Sequence, residues 1–245
     1  MGQTTLEKFI IDMKTWDRRE AYYIFKTFDI PYTNLCSDID ITRFMKFIRT
    51  KDYRFYAALL FYITKAANII KEFRCRLEGD TPVIWNQIGA NYTLLQNSGV
   101  IGNNYTDFTD NLEEFYDNVM NDLEAAKKSG HMINKKLPGN AVVTITSIPW
   151  TRLSNFSQAM FRTGDAVPYI GIGRRYGQDE RIKLPLAVQA HHAFVDGFHI
   201  AHYFSLLETL LSDPERYTDG TVSYDQILKD TKPFILSDNE KAINF

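Results

Sequence analysis

Cysteine is scarce: Cys36 and Cys75 are the only two in 245 residues. That excludes a disulfide framework and reads as two reduced thiols in a cytoplasmic protein. An excess of either charge is also missing. The net charge of −2 excludes a chain drawn as a whole to nucleic acid or to an anionic membrane. A phosphate-bearing ligand would have to be held by local Lys and Arg. Nor is there a long apolar run. The most apolar stretch, Phe55 to Ile70, contains Lys65 and falls short of the roughly 20 residues a membrane span requires. The opening MGQTTLEKFI lacks the basic-then-apolar order of a signal segment. No repeat and no low-complexity linker interrupts the chain. What it does have is rings: 17 Phe and 14 Tyr predict an aromatic core or interface.

Periodicity alternates between strand-like and helix-like segments, the pattern of a mixed α/β protein. Trp16–Thr27 reads as a short helix and Pro31–Ser37 as extended chain. Asp40 is placed to accept the first-turn amides of a helix running to Arg49. A buried helix follows over Phe55–Phe73, then strands near Val83–Trp85 and Tyr92–Gln96. Phe108, Leu112, Phe115, Val119 and Leu123 make one apolar stripe, which predicts a helix over Phe108–Ser129. Acidic residues crowd its start and Lys127 and Lys128 its end, as the helix dipole favours. Strands are expected over Ala141–Ser147, Tyr169–Ile172 and Ile182–Ala190. The run LPLAVQA in the last is apolar on both faces, so it belongs in the middle of a covered sheet. A second amphipathic helix spans Phe198–Leu211, and a polar tail follows Pro214.

Four of the five histidines fall between positions 191 and 202, where the buried strand gives way to that last helix. Three readings compete. Four histidines in twelve residues are an unusual density for scattered structural residues. A metal site is disfavoured because His199 and His202 have neither an H-E-x-x-H pattern nor a Cys pair beside them. An imidazole held between two rigid elements, with an unperturbed pKa near 6.5, suits an acid/base role at neutral pH.

The segment His191-His192-Ala193-Phe194-Val195-Asp196-Gly197-Phe198-His199 resembles the HHxxxDGFH signature of chloramphenicol acetyltransferases. Its shorter form, HHxxxDG, is shared with other CoA-dependent acyltransferases and with peptide-synthetase condensation domains. Further blocks agree in order: Trp16-Asp17-Arg18-Arg19-Glu20 is similar to the family's WxRxE, and Asp40-Ile41-Thr42, Glu72-Phe73-Arg74, Val83-Ile84-Trp85, Pro149-Trp150 and Leu184–Gln189 match too. The resemblance covers about residues 7–212. It implies an α/β two-layer sandwich with a central mixed β-sheet packed by helices. It divides the chain into an acetyltransferase domain, 1–212, and a C-terminal extension, 213–245.

The same resemblance assigns roles. His192 is the general base that takes the proton of the acceptor hydroxyl. Asp196 pairs with Arg18 to fix the loop carrying it. Thr146 stands where the family has a Ser whose hydroxyl serves the oxyanion. Trp150 and Tyr176 correspond to aromatics near the coenzyme, with core rings as the alternative. Acetyl-CoA is a co-substrate, no cofactor or metal is permanently bound, and the expected assembly is a homotrimer with active sites at subunit interfaces. Acceptor-side positions depart from the family. Phe25 replaces a tyrosine, Pro31 a cysteine, and Gly171 a threonine. The family's pocket aromatic falls on Gly102. Gln158 replaces an apolar residue, although Phe156 is kept. The resemblance therefore implies acetylation of chloramphenicol, an antibiotic-resistance activity. The alternatives are the same chemistry on another hydroxyl or amine, or a non-catalytic acyl-CoA-binding homologue.

Overall fold

The computed structural model describes residues 5–129, 131–160 and 165–231. Its elements, in chain order, are β1 (Lys8–Ile10), α1 (Arg19–Phe25), β2 (Tyr32–Asp40), α2 (Thr42–Thr50), α3 (Phe55–Ile69), β3 (Cys75–Glu78), β4 (Thr81–Trp85), β5 (Gly89–Leu95), β6 (Ile101–Thr106) and α4 (Leu112–Ser129). They continue with β7 (Val142–Ser147), β8 (Tyr169–Ile172), β9 (Tyr176–Gln178), β10 (Arg181–His191), α5 (Gly197–Ser212) and α6 (Tyr224–Asp230). The main sheet runs β2-β10-β8-β7-β5-β6, with β9 paired to β10, and a small sheet runs β1-β4-β3. Among the described strands, β5–β7 and β7–β8 pair parallel and the others antiparallel, so the sheet is mixed, and helices pack on one side of it.

Strand alternation decides what each face carries. Leu184, Leu186, Val188 and Ala190 of β10 join Val143 and Ile145 of β7 in the core under α3, α4 and α5. The alternate residues of β10, Pro185, Ala187, Gln189 and His191, point to the second face. The sequence run is apolar on both faces because that second face is covered too, by the loop 151–160 rather than by helices. Phe156 lies against Gly171 of β8, and the amide of Gln158 donates to Gln189 Oε1 (2.8 Å).

Local chemistry sets the element ends. Asp40 is the last residue of β2, and its Oδ1 accepts the amide (2.9 Å) and hydroxyl (2.7 Å) of Thr42 at the start of α2. The stripe predicted from Phe108 is real, and Phe108 is buried in the core. The helix nevertheless starts only at Leu112. Asn111 Oδ1 accepts the Glu114 amide (3.0 Å) as its cap, because the neighbouring Asp110 pairs with the buried Lys65 of α3. Burial alone would push the Asp110 carboxyl up, and Lys65 only partly offsets this. The predicted Phe55–Phe73 helix ends at Ile69 and continues as a 3₁₀ turn over Lys71–Arg74.

The segment after Ser212 packs on the same core. Tyr62 Oη donates to the Pro214 carbonyl (2.9 Å), the Leu112 amide donates to Thr218 O (2.6 Å), and Ile227 of α6 is fully buried. Replacing Ile227 by Ala should therefore cost about 2–5 kcal/mol, the range for truncating a buried aliphatic side chain. Urea unfolding would measure it; a midpoint shift within error would mean that α6 contributes no core. Asp110→Ala strands the Lys65 ammonium and should cost about 3–5 kcal/mol, whereas exchanging both residues for apolar ones should cost less than the sum of the singles.

Candidate active site

His192 follows β10 directly, in the turn before α5. Its amide donates to the Pro31 carbonyl (2.7 Å), which ties the turn to the start of β2. Its imidazole is stacked on Phe25, with ring centroids 4.1 Å apart and planes 7° from parallel. Nδ1 is buried and has no hydrogen-bond partner among the described residues. Packing, not a hydrogen bond, therefore holds the ring.

The backbone of the turn is held by Arg18. Its Nη1 donates to Asp196 Oδ2 (2.8 Å), its Nη2 to the His192 carbonyl (3.1 Å) and its Nε to the Ala193 carbonyl (3.2 Å). Three donors of one planar fork are thus spent on three residues within the stretch 192–196, a use for which Lys, a point charge, is no substitute. Asp196 caps α5 as well. Its Oδ1 accepts the amides of Phe198 (3.1 Å) and His199 (3.3 Å). Burial alone would raise the Asp196 carboxyl. The Arg18 hydrogen bond, the charge of His199 and the capped amides outweigh that and hold it at about 2. The pair stays ionised at any ordinary pH.

His191, the first of the pair, points the other way. It is buried, packed on Tyr32 and Phe194, and its Nδ1 accepts the Ala193 amide (3.2 Å). Burial, with the charge of His192 second, lowers its pKa from 6.5 to about 4. It is the neutral, structural member of the pair.

The other sequence-predicted residues divide into groups. Thr146, Gly171 and Ala187 are aligned across β7, β8 and β10, and Phe156 lies over Gly171. From Ala187 to His192 is five residues. At about 3.3 Å per residue and about 4.8 Å per strand spacing, Thr146 and His192 are roughly 19 Å apart in one chain. Trp150 lines a cavity of about 750 Å³ with Phe55, Leu95, Ile101, Ser147 and Arg175, and neither His192 nor Thr146 is among its lining residues. Tyr176 is not brought to that cavity. Its hydroxyl donates to Asp38 (2.7 Å) and the Arg152 guanidinium lies 3.6 Å from its ring centre.

Gly102 requires a correction. It pairs with Leu94, whose side chain is in the helix-side core, so Gly102 faces α4. A Cβ there would meet Gln96 Nε2 at 2.7 Å and Asn134 Nδ2 at 2.9 Å. It therefore cannot widen an acceptor pocket on the face of Thr146. Ile101, one residue earlier and paired with Leu95, alternates to the other face and lines the cavity beside Trp150, whose wall also includes the helix-side Leu94, Leu123 and Ile172. The sequence reading also missed Arg174 and Arg175, which line the cavity together with Lys127. Their adjacent charges between a buried strand and Tyr176 were the available signal.

A family model for chloramphenicol acetyltransferase matches residues 7–208. The chain is 29% identical to a chloramphenicol acetyltransferase of Staphylococcus aureus over 205 residues, covering 82% of this chain and 95% of that one. A solved chloramphenicol acetyltransferase structure superposes with a TM-score of 0.74 at 19% identity, covering 92% of this chain and all of the other. The Azotobacter vinelandii dihydrolipoamide acetyltransferase shares the fold more distantly, with a TM-score of 0.61 at 16% identity over 81% of this chain and 88% of its own.

Since His191 stays neutral while an unfolded histidine gains a proton, stability is full above about pH 6.5. It falls as the pH drops towards about 4, by about 3 kcal/mol in all. His191→Asn, which keeps the acceptor, should flatten that decline in denaturant titrations between pH 7 and pH 4. An equally steep decline in the variant would place the acid sensitivity elsewhere.

Proposed function

As a member of the chloramphenicol acetyltransferase family the chain is an acyltransferase, and we propose that it moves the acetyl group of acetyl-CoA to a hydroxyl of chloramphenicol with His192 as the base. The observation that carries this reading is the way the chain spends its bonds at the turn. Arg18 fixes the His192 and Ala193 carbonyls, and Phe25 fixes the ring. With Nδ1 buried and stacked away, Nε2 is the nitrogen left to take a proton.

The acceptor hydroxyl gives its proton to Nε2 as its oxygen bonds to the thioester carbonyl carbon. The carbonyl oxygen, now carrying the charge, is met by the Thr146 hydroxyl as donor, an interaction worth about 3–4 kcal/mol when preorganised. Collapse of the tetrahedral species breaks the carbon–sulfur bond, and the departing thiolate recovers the proton from His192. No residue of the chain is acylated, so no nucleophilic Ser or Cys is required. The cavity beside Trp150 supports binding of the coenzyme: its apolar wall suits a pantetheine arm, and Lys127, Arg174 and Arg175 suit phosphates. Neither a resident cofactor nor a metal enters this scheme. A supply of acetyl-CoA, and two cysteines with no disulfide between them, suit the cytoplasm. Among the described residues no helix is long and apolar enough to cross a membrane.

The separation of Thr146 from His192 supports assembly. One chain cannot bring both to a single carbonyl carbon, whereas neighbouring chains in a closed ring can. Apolar residues beside the His192 turn, Phe28 at 52% exposed and Ile30 at 80%, support a covering partner there. A homotrimer with one site per interface is the assembly we assign.

Release of free thiol from acetyl-CoA in the presence of chloramphenicol measures the activity. His192→Ala should lower turnover by about 10²–10⁴, the usual contribution of a general base, with acetyl-CoA still bound. Turnover close to wild type would remove His192 from the chemistry. Co-refolding His192→Ala subunits with Thr146→Ala subunits should restore about a quarter of the activity, because half the bases and half the donors are intact at random around a closed ring. No recovery in the mixture would place base and oxyanion donor in the same chain.

A further inference from the structure

The turn that presents His192 has a further contributor beyond Arg18. His199, in the first turn of α5, places its Nδ1 2.7 Å from Asp196 Oδ1. The Asp196 amide also lies 3.2 Å from that nitrogen. A ring accepting from the amide would present a bare nitrogen to a carboxylate at shorter range, so the carboxylate contact decides the tautomer and Nδ1 carries the proton. On the far side of the ring, Glu72 Oε1 lies 3.8 Å from Nε2, too long for a direct hydrogen bond. Both side chains are mostly buried, His199 at 16% and Glu72 at 12% exposed.

The two oxygens of Asp196 therefore have separate duties. Oδ1 takes His199 and two helix amides, and Oδ2 takes Arg18. Without His199, Oδ1 keeps only amides at 3.1 and 3.3 Å, and the carboxylate is free to rotate about its bond to Cβ. Rotation would move Oδ2 away from Arg18 Nη1. The same rigid guanidinium would then lose its hold on the His192 and Ala193 carbonyls. We infer that His199 is a positioning residue, which acts through Asp196 and Arg18 to fix the backbone of the general base. It touches neither the base nor any reacting atom.

This inference rests on His192 being the base, but its test does not depend on the identity of the acceptor. Stacking on Phe25 puts the His192 ring protons in the shielding zone of a parallel ring, so their proton resonances should be shifted upfield, a direct report of the presented rotamer. Two polar variants separate the roles. His199→Asn keeps an amide donor where Nδ1 stands, and His199→Gln moves it to where Nε2 stands. The Asn variant should keep the His192 resonance in place and turnover within about threefold of wild type. The Gln variant should move that resonance towards its unstacked position. It should also lower kcat about tenfold to a hundredfold, the range for partners that orient a working imidazole, with KM for acetyl-CoA within about twofold. An unmoved resonance and wild-type kcat in the Gln variant would overturn the inference. So would equal losses in both variants with the resonance unmoved, which would assign His199 to helix packing. A moved resonance in an enzyme that never acetylates chloramphenicol would support the inference while overturning the proposed acceptor.

Discussion

One guanidinium holds the functional part of this molecule together. Arg18 precedes α1, yet its donors end on Asp196, His192 and Ala193, near the opposite end of the sequence. Few side chains could do this. Three donors must point in fixed, coplanar directions, and the charge must persist at every working pH. The counter-charge persists too, because Asp196 is held far below neutral pH by Arg18, His199 and the helix amides acting against its own burial. The turn between β10 and α5 is therefore a fixed object, held by Arg18 in addition to its own bonds from the Phe194 and Val195 amides to the His191 carbonyl (both 3.0 Å). Phe25 then needs only to stack on the imidazole, since the backbone that carries the ring is already immobile.

The sheet imposes the second constraint. Strand register aligns Thr146 with Gly171 and Ala187, several residues short of His192 along β10. No rotamer change can close a gap of roughly 19 Å. An oxyanion donor and a base on those two positions can serve one carbonyl carbon only if they come from different chains. In the proposed reaction the fold thus separates base and oxyanion donor within the monomer, and a neighbouring chain would join them. It also explains why rigid backbone supports matter here. A site completed by a neighbour inherits the positional errors of both partners, so each half must be well fixed before they meet.

What could be read from residues alone follows from the range of the interactions involved. The stripe on α4, the Asp40 carboxylate at the start of α2 and the buried β10 run are local, and they were legible to within a few residues, although Asp40 bonds Thr42 from the residue before the N-cap, Ile41. The helix start at Leu112 instead of Phe108 was not, because it depends on Asp110 reaching Lys65 in α3. The histidine turn and the Arg18 block were legible through resemblance, but the two backbone carbonyls that Arg18 also holds were not, since carbonyls leave no mark in a sequence. Gly102 shows the sharpest limit. In a strand, a slip of one residue exchanges the faces of the sheet. The cavity-facing residue is Ile101, and Gly102 faces Gln96 and Asn134 beneath α4.

The same reasoning changes the meaning of another departure from the family pattern. A family threonine replaced by Gly171 suggests an opened space on the face of Thr146. The space is not open. A Cβ on Gly171 would stand 2.6 to 2.8 Å from three atoms of the Phe156 ring, closer than side chains tolerate. Phe156 is itself buried, and two residues on, the Gln158 amide is fastened to Gln189 of β10. The ring lies where it does because residue 171 has no side chain, and the loop 151–160 covers the sheet because the ring lies there. Gly171 and Gln158, the two departures, therefore meet at the retained Phe156: one is in contact with its ring and the other follows it in the loop. The loss of a side chain at residue 171 is thus taken up by the Phe156 ring and leaves no added width beside Thr146, the strand neighbour of Gly171.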